Sequence, residues 1–310
     1  MASVEGKLNV SELDFTQIKE NLIGFLQNQN EFVGYNFRGS SFDVLLDVLA
    51  YNTHYNAYYA NMVANEMFLD SATLRNSVVA KAKHLGYLPR SAKGSKAVVD
   101  LTITPMGNPA VITIPRFTQF QGDVDGINYI WCTSNSHALN INANLIYTVS
   151  DVELTQGIPI SYRYTAETAD VDQRYLLPNA NIDTDTLTVT VQTSKTESAS
   201  FAYDLANDIT TVNSTSRHYF LDEVDEGLYE VQFGDGILGK KVSNGNIITL
   251  AGLVTDTTAT NGCKNFTTVA DVGGYSNVKI VTVDAAGGGA GSADIQEIKF
   301  NAPKSFDAQN

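Results

Sequence analysis

The stretch GYLPRSAKGSKAVVDLTIT, residues 86–104, divides the sequence into two regimes. Gly86 can adopt the left-handed conformation that ends a helix, and Pro89 cannot continue one. From Val98 onward, β-branched and apolar residues alternate with polar ones, which is the period of a strand. The sequence therefore predicts that helical structure ends here and that β-structure begins.

Three helices are predicted before this point. Apolar residues at helical spacing place the first helix at about 14–28 and the second at about 41–68, and a third ends at Gly86. Ser40 can cap the second helix by accepting an orphan amide hydrogen bond, Asp43 favours its positive end, and Ser71 can cap the third.

Short runs rich in Val, Ile, Thr and aromatic residues follow Gly94, separated by Gly, Asn, Asp and Pro. Because helices do not alternate with these strands, a doubly wound α/β fold is excluded in favour of α+β with antiparallel sheets. The predicted domains are a helical domain at 1–90, one or two antiparallel β domains at 91–290, and a short helix at about 293–300 within a junction segment at 291–310. The predicted strands are 98–104, 111–114, 128–133, 145–154, 158–164, 187–192, 218–221, 228–233, 247–254 and 278–283.

Charge limits the classes of partner. The 310 residues are 17% charged with a formal net charge of −14, of which residues 91–310 carry −12. Such a surface repels phosphate backbones and anionic lipids, so neither nucleic acid nor a membrane is an expected partner. No apolar run approaches the ~20 residues that a membrane-spanning helix needs. Two cysteines are too few for a disulfide framework, which favours a reducing compartment.

The sequence GDGILG at 234–239 matches the glycine spacing of dinucleotide-binding loops and follows a predicted strand. A dinucleotide site also needs a helix that opens at this point, and KKVSNG at 240–245 is a poor helix start. We therefore interpret Gly234, Asp235, Gly236 and Gly239 as a structural turn, with positive φ at one or more of the glycines.

Other candidate chemistry is weak. Asp123 to Gly126 resembles part of a calcium loop but lacks the acidic twelfth residue, so a solvated turn is the better interpretation. The carboxylate pairs Asp183/Asp185 and Asp222/Glu223 fit solvated loops better than a glycosidase site. The sequence predicts no catalytic residue, no cofactor and no metal site.

The second helix is apolar on more than one face. Val48, Tyr51, Tyr55, Tyr58 and Met62 form one stripe with alternating spacings of three and four, which is typical of a helix-bundle seam. A second stripe is formed by Phe42, Leu45, Leu46 and Leu49. The first and third helices are expected to cover one stripe. The tyrosine stripe remains open between a place in this chain's own core and a partner interface, and we favour the interface, since tyrosine is enriched at protein interfaces.

Several motifs carry a family resemblance. The helical region contains QIKENLI at 17–23, QNEF at 29–32, LAYNT at 49–53, LRNSVV at 74–79 and GYLP at 86–89. These resemble the N-terminal part of the baseplate wedge proteins of T-even-like contractile phages. FGDG at 233–236, with Gly239 and Lys240, is similar to the β-domain signature of the wider baseplate-J-like family, and APKSF at 302–306 to its junction into a further domain.

The resemblance implies a structural protein of the virion tail baseplate that assembles in the host cytoplasm and needs no cofactor. Implied partners are a second copy of the chain, other wedge proteins through the N-terminal helices, and, as further candidates, sheath-initiator and hub proteins. It also implies a further domain beyond this sequence. The alternatives are a glycan- or receptor-binding β protein of a phage tail and a polysaccharide-cleaving enzyme.

Overall fold

The computed structural model describes residues 14–32, 34–105, 107, 109–141, 146–167, 173–206 and 212–309. Residues 1–13 of the predicted helical domain lie outside this part of the chain. The described residues form two compact units: a helical unit up to Tyr87 that also contains the residues from Ile295, and a β unit at Leu88–Asp294. The predicted fold class, α+β with helices first and antiparallel β-structure after them, is confirmed.

The helical unit is built on a few small contacts. Helix α1 packs on α2, and α3 packs on α4. The described helices bury few side chains: Ile18 in α1, Leu46 and Ala50 in α2, Val78, Val79 and Ala82 in α3, and Ile298 and Ala302 in α4. The helices are α1 Phe15–Gln27, α2 Ser41–Glu66, α3 Arg75–His84 and α4 Ile295–Gln309.

The predicted serine caps are wrong. Ser40 precedes α2, but its hydroxyl donates to the carbonyl of Phe37 (2.8 Å) rather than accepting an amide. Helix α3 begins at Arg75, four residues after Ser71. Its start is approached instead by the carboxylate of Glu66, which accepts the backbone N–H of Thr73 (2.8 Å). A side chain distant in sequence thus replaces the local cap.

The predicted end of the third helix is confirmed. Gly86 has a φ of +72° and its N–H donates to the carbonyl of Lys83 (3.0 Å). The N–H of Tyr87 donates to the carbonyl of Ala82 (3.0 Å). This pair of bonds is the Schellman motif, which satisfies the last carbonyls of a helix and needs a left-handed residue.

The described part of the β unit contains two large antiparallel sheets and a two-stranded ribbon, with one parallel pairing between β10 and β11. The strands are β1 Lys96–Ile103, β2 Val111–Ile114, β3 Gln119–Val124, β4 Ile127–Thr133, β5 His137–Asn140, β6 Tyr147–Gln156, β7 Ile158–Thr165, β8 Arg174–Leu177, β9 Ile182–Gln192, β10 Ser200–Leu205, β11 His218–Glu223, β12 Tyr229–Phe233, β13 Ile247–Val254, β14 Phe266–Thr268 and β15 Val278–Gly287. The first residue of the predicted strand 145–154 lies outside the described residues.

Each sheet curls around its own core. The first has the order β14-β3-β4-β6-β1-β15, and the N–H of Ala286 in β15 donates to the carbonyl of Cys263, shortly before β14 (2.8 Å). Trp131 is fully buried there against Phe266. The second has the order β7-β13-β9-β10-β11-β12-β8, and Tyr164 of β7 donates to a backbone carbonyl of β8. Strands β2 and β5 form a separate ribbon.

The chain first passes from one sheet to the other through a single residue. Strand β6 runs into β7 through Gly157, which has a φ of +152° and whose added Cβ would lie 2.7 Å from the Cβ of Leu253. The side-chain carbonyl of the buried Gln156 accepts the hydroxyl of Thr255 (2.8 Å) and the N–H of Asp256 (2.9 Å). These contacts tie the end of β6 to the residues that follow β13.

A buried carboxylate lies at the same junction, so the prediction that Asp183 lies in a solvated loop is wrong. Asp183 in β9 is 2% exposed, and its two oxygens accept the N–H groups of Gly94 (3.0 Å) and Asp185 (3.1 Å). Burial raises the pKa of Asp183, opposed by these two hydrogen bonds. Beside it, the guanidinium of Arg116 donates to the carbonyl of Thr186 (2.8 Å). Polar contacts therefore hold the two sheets together.

Candidate functional site

The residues predicted as a partner interface lie on the solvent-exposed side of α2. Their exposed fractions range from 39% at Tyr55 to 60% at Val48. Tyr51, Tyr58 and Met62 fall within that range. The described part of this chain therefore does not enclose the tyrosine stripe in its own core.

The second predicted stripe is only partly covered. Leu46 is buried, but Phe42, Leu45 and Leu49 are exposed. The expectation that neighbouring helices cover one whole stripe is therefore wrong: of the 26 residues of α2, only Leu46 and Ala50 are buried. We call the exposed apolar side of this helix the α2 surface, and it consists of Val44, Leu45, Val48, Leu49, Tyr51, Tyr55, Tyr58, Tyr59, Met62 and Val63.

The α2 surface carries no formal charge. Between Asp47 and Glu66 the sequence contains no Asp, Glu, Lys or Arg. The two acidic residues near the helix start, Asp43 and Asp47, form ion pairs with Lys19 of α1 (2.8 and 2.6 Å). Hydrogen bonds to Asp43 and then Asp47 raise the pKa of Lys19. The two carboxylates at the start of α2 thus hold α1 through Lys19, and the α2 surface faces solvent.

Contacts among the tyrosines give the surface a defined shape. The hydroxyl of Tyr51 donates to that of Tyr55 (2.9 Å), and the two rings meet edge to face at 4.6 Å. Tyr59 lies next to Tyr55 and to Tyr58, with ring centroids about 6 Å away (6.2 and 6.0 Å). Tyr59 was absent from the predicted stripe, although its helical position and the charge-free run around it could have indicated it.

An aromatic cluster precedes α2 and was not predicted. Phe37 is almost fully buried, and the ring of Tyr35 packs on it at 4.8 Å. Phe32 and Phe42 pack on the same rings. This cluster fixes the segment between α1 and α2, and therefore the direction in which α2 begins.

The glycine-rich segment at 234–239 forms a tight turn after β12. Gly236 and Gly239 have φ values of +96° and +87°, so the expected positive φ is present at two glycines. Gly234 has a different role, because an added Cβ would lie 2.3 Å from the backbone carbon of Gly239. The N–H of Gly239 donates to the carbonyl of Asn213 (3.2 Å). The residues after Gly239 are not helical, so the helix N-terminus of a dinucleotide site is missing.

Asp235 organises this turn from within. One of its carboxylate oxygens accepts the N–H groups of Ile237 (2.8 Å) and Leu238 (2.9 Å). These two hydrogen bonds lower the pKa of Asp235. The N–H of Lys240 donates to the carbonyl of Ser216 (2.8 Å), which ties the turn to the loop before β11.

The remaining candidates form ordinary structural features. Asp125 and Gly126 have positive φ (54° and 82°), as the primed turn of the β3–β4 hairpin requires. Burial raises the pKa of the Cys132 thiol to about 12. In the described ranges, no three His, Cys, Asp or Glu side chains are grouped to hold a metal ion. Among the described helices, none has both the length and the apolar content to cross a bilayer.

Comparisons with known proteins identify the helical region. Residues 14–87 match the family described as baseplate wedge protein gp6-like, helical domain, which includes all of α2. The chain is 32% identical over 236 residues to baseplate wedge protein gp6 of Enterobacteria phage T4. That alignment covers 74% of this chain, and the chain spans about a third of its relative (34%). The chain therefore belongs to the gp6-like baseplate wedge proteins.

Proposed function

We propose that this chain is a structural, non-catalytic component of a contractile phage tail baseplate wedge, and that it scaffolds wedge and ring assembly around the tail hub. The α2 surface is the observation that carries this proposal. A helix with two buried residues out of 26 contributes little to its own unit and has most of its apolar area available to another chain.

The size of the α2 surface favours a permanent contact. Large contiguous apolar patches are uncommon on proteins that remain monomeric. Burial of each large aliphatic side chain, such as Val48 or Met62, is worth about 1.5–3 kcal/mol. Several such residues on one helix are enough to drive association, and leaving them in water favours aggregation.

The chemistry of the surface indicates the kind of partner. A face without charged residues is best matched by another charge-free helical face, because a buried unpaired charge is costly. We therefore propose that residues 1–90 are the main docking element and that α2 packs beside helices of other wedge proteins and of a second copy. Sheath-initiator and hub proteins are further candidates. Assembly would take place in the host cytoplasm, and the final location is the tail baseplate of the virion.

The test is a double variant, Tyr55→Glu with Tyr58→Glu, compared with Val281→Glu with Val283→Glu in β15. All four side chains are exposed, at 39% and 58% in α2 and at 46% and 50% in β15. Each pair adds two carboxylates at apolar surface positions, so the pairs match in charge and exposure. We measure how much full-length chain enters assembled wedges, together with the fluorescence of Trp131 as a report on the β unit.

The α2 pair is expected to abolish entry into wedges while the Trp131 signal stays native, and the β15 pair is expected to assemble. Normal assembly of the α2 pair would contradict the docking role of this helix. A wild-type chain absent from purified baseplates would contradict the proposed function as a whole.

A glycan- or receptor-binding role is not favoured. Binding of sugars commonly uses exposed aromatic rings, and the exposed aromatic residues of the described chain lie mainly in the helical unit. In the described part of the β unit, Phe201 is the one aromatic side chain more than a third exposed, and the guanidinium of Arg217 covers its ring at 3.9 Å.

A further inference from the structure

The turn at 234–239 presents two large aliphatic side chains to solvent. Ile237 is 76% exposed, the highest value among the exposed large apolar residues of the described chain, and Leu238 is 46% exposed. Both follow Asp235, whose carboxylate binds their backbone N–H groups. The glycines and these bonds hold the backbone in one conformation, so little ordering entropy would be lost on binding.

A small basic site lies beside this turn. Arg217 and Lys240 line an open cavity of about 490 Å³ together with Ser214 and Thr215. Lys240 follows the turn directly, and its backbone N–H is bound to the carbonyl of Ser216. Three other cations of the unit, Lys93, Lys96 and Arg174, are paired with carboxylates. Among the described residues, neither Arg217 nor Lys240 forms an ion pair.

The charge of the surroundings makes this site unusual. Residues 91–310 carry a net charge of −12, and in the described part of this unit Arg217 and Lys240 lie over the ring of Phe201 (3.9 and 6.0 Å) with no carboxylate paired to either. Burial of a cation at an interface is favourable only when the partner supplies an opposite charge. Burial of the exposed side chains of Ile237 and Leu238, the aliphatic tip of the turn, requires in addition an apolar depression on the same partner.

We propose that the turn and this cavity form a second docking surface, which binds a protein segment with an apolar depression flanked by Asp or Glu side chains. Ile237 enters the depression, and the carboxylates pair with Arg217 and Lys240. Nucleic acid fits less well, because the surrounding negative charge repels its backbone. A small inorganic anion would leave the aliphatic tip in water. The inference rests on the proposed function, which places the partner among the other baseplate proteins.

The apolar half of the proposal is tested with Ile237→Asp in the full chain, against Ile127→Asp as a control. Both isoleucines follow an Asp-Gly pair in a tight turn, and Ile127 is also exposed, at 57%. We measure the amount of each variant in purified baseplates relative to wild type. Loss of one buried aliphatic anchor should reduce incorporation roughly tenfold for Ile237→Asp and leave Ile127→Asp unchanged.

The acidic half is tested in assembled baseplates with a carbodiimide, which joins a lysine amine to a carboxylate in direct contact. Peptide mapping should find Lys240 joined to an Asp or Glu of a different polypeptide. Lys240→Arg keeps the charge and should assemble without this cross-link. Lys240→Glu should reduce incorporation, whereas Lys279→Glu on β15 should not.

Two results would overturn the proposal. One is wild-type incorporation of Ile237→Asp, and if Lys240→Glu still reduces incorporation, a free anion or nucleic acid is indicated. The other is a Lys240 that couples to no other polypeptide. In each case wild-type chain is still present in baseplates, so failure here is distinct from failure of the proposed function.

Discussion

In α2, only Leu46 and Ala50 are buried among 26 residues, whereas every second side chain of β1 is buried between Ala97 and Ile103. Both elements are rich in apolar residues, but those of α2 mostly face solvent and half of the residues of β1 face a core. The β unit encloses its apolar side chains in two cores, so its stability is its own. The helical unit leaves most apolar side chains of α2 exposed, so under the proposed docking role its stability should depend on assembly.

The largest expected effect comes from one substitution made in both regions. Leu101 in β1 is fully buried and Leu49 in α2 is 52% exposed. Leu101→Ala should lower the free energy of unfolding by about 2–5 kcal/mol, because it leaves a cavity. Leu49→Ala should change it by less than about 0.5 kcal/mol in the isolated chain. Urea unfolding followed by Trp131 fluorescence reports the first, and circular dichroism of the helices reports the second. Equal losses would refute the difference between the regions.

The strand pattern shows what periodicity can predict. The predicted strands 111–114 and 247–254 coincide with β2 and β13. Strand β2 alternates exposed and buried residues, whereas β13 is a nearly continuous apolar run that lies between β7 and β9. Strand β3 was missed, since it contains Gly122, a residue that normally weakens a strand. The structure explains why a glycine stands in this strand: a Cβ at position 122 would lie 2.7 Å from the ring of Trp131. Strands β5, β8, β10 and β14 were missed as well, and three of them have only three or four residues.

The last helix was predicted too short. Helix α4 continues past the predicted end at residue 300 and includes Pro303. A proline inside a helix removes one hydrogen bond and usually ends the helix in a sequence-based prediction. The compact unit that contains α4 also contains α3, which packs on it and supplies contacts that the local sequence does not reveal.

The sequence predicted which face of α2 carries the candidate site, but not how many residues of that face are exposed. The spacing of three and four identified the tyrosine stripe, because helix geometry alone decides which residues share a face. Whether neighbouring helices cover Leu45 or Leu49 depends on packing that spacing does not contain. The basic cavity was missed for a related reason, since the N–H of Lys240 binds Ser216 across 24 positions of sequence.

A smaller effect tests the junction within the β unit. Gly157→Ala adds a Cβ at a φ of +152°, in contact with Leu253, and should cost about 3 kcal/mol through strain and overpacking. Gly288→Ala adds a Cβ at a φ of +80° with nothing within 4 Å, and should cost about 1 kcal/mol from strain alone. Urea midpoints of the two variants measure the difference. If both variants lose the same free energy of unfolding, the contact with Leu253 does not restrict the residue at position 157.

The pH dependence of the β unit should reveal Asp183. Burial raises its pKa in the folded chain, so the folded state holds this proton more tightly than the unfolded state. The stabilisation is complete below the ordinary pKa of an aspartate and is lost as the pH rises through the folded value. Asn does not titrate, so the wild type should lose stability relative to Asp183→Asn as the pH rises through this window.

Urea unfolding at a series of acidic pH values measures that difference. Asp284→Asn, at an exposed position of β15, removes the same formal charge and serves as the control. If the stability of wild type relative to Asp183→Asn stays constant or rises with pH, the hydrogen bonds from Gly94 and Asp185 outweigh burial.

The smallest expected effect concerns salt. Between roughly 0.1 M and 1 M salt the Debye length falls from about 10 Å to about 3 Å, so exposed ion pairs across an interface weaken strongly. Because the α2 surface has no charged residue between Asp47 and Glu66, association through it should change by less than about twofold over this range. Sedimentation of wild-type wedges at both salt concentrations, with the Lys240→Glu variant beside them, separates the two docking surfaces. The salt-dependent part should disappear with Lys240→Glu, and the remaining association should be insensitive to salt. A steep salt dependence that survives in this variant would mean that charges outside the α2 surface hold the helices to their partner.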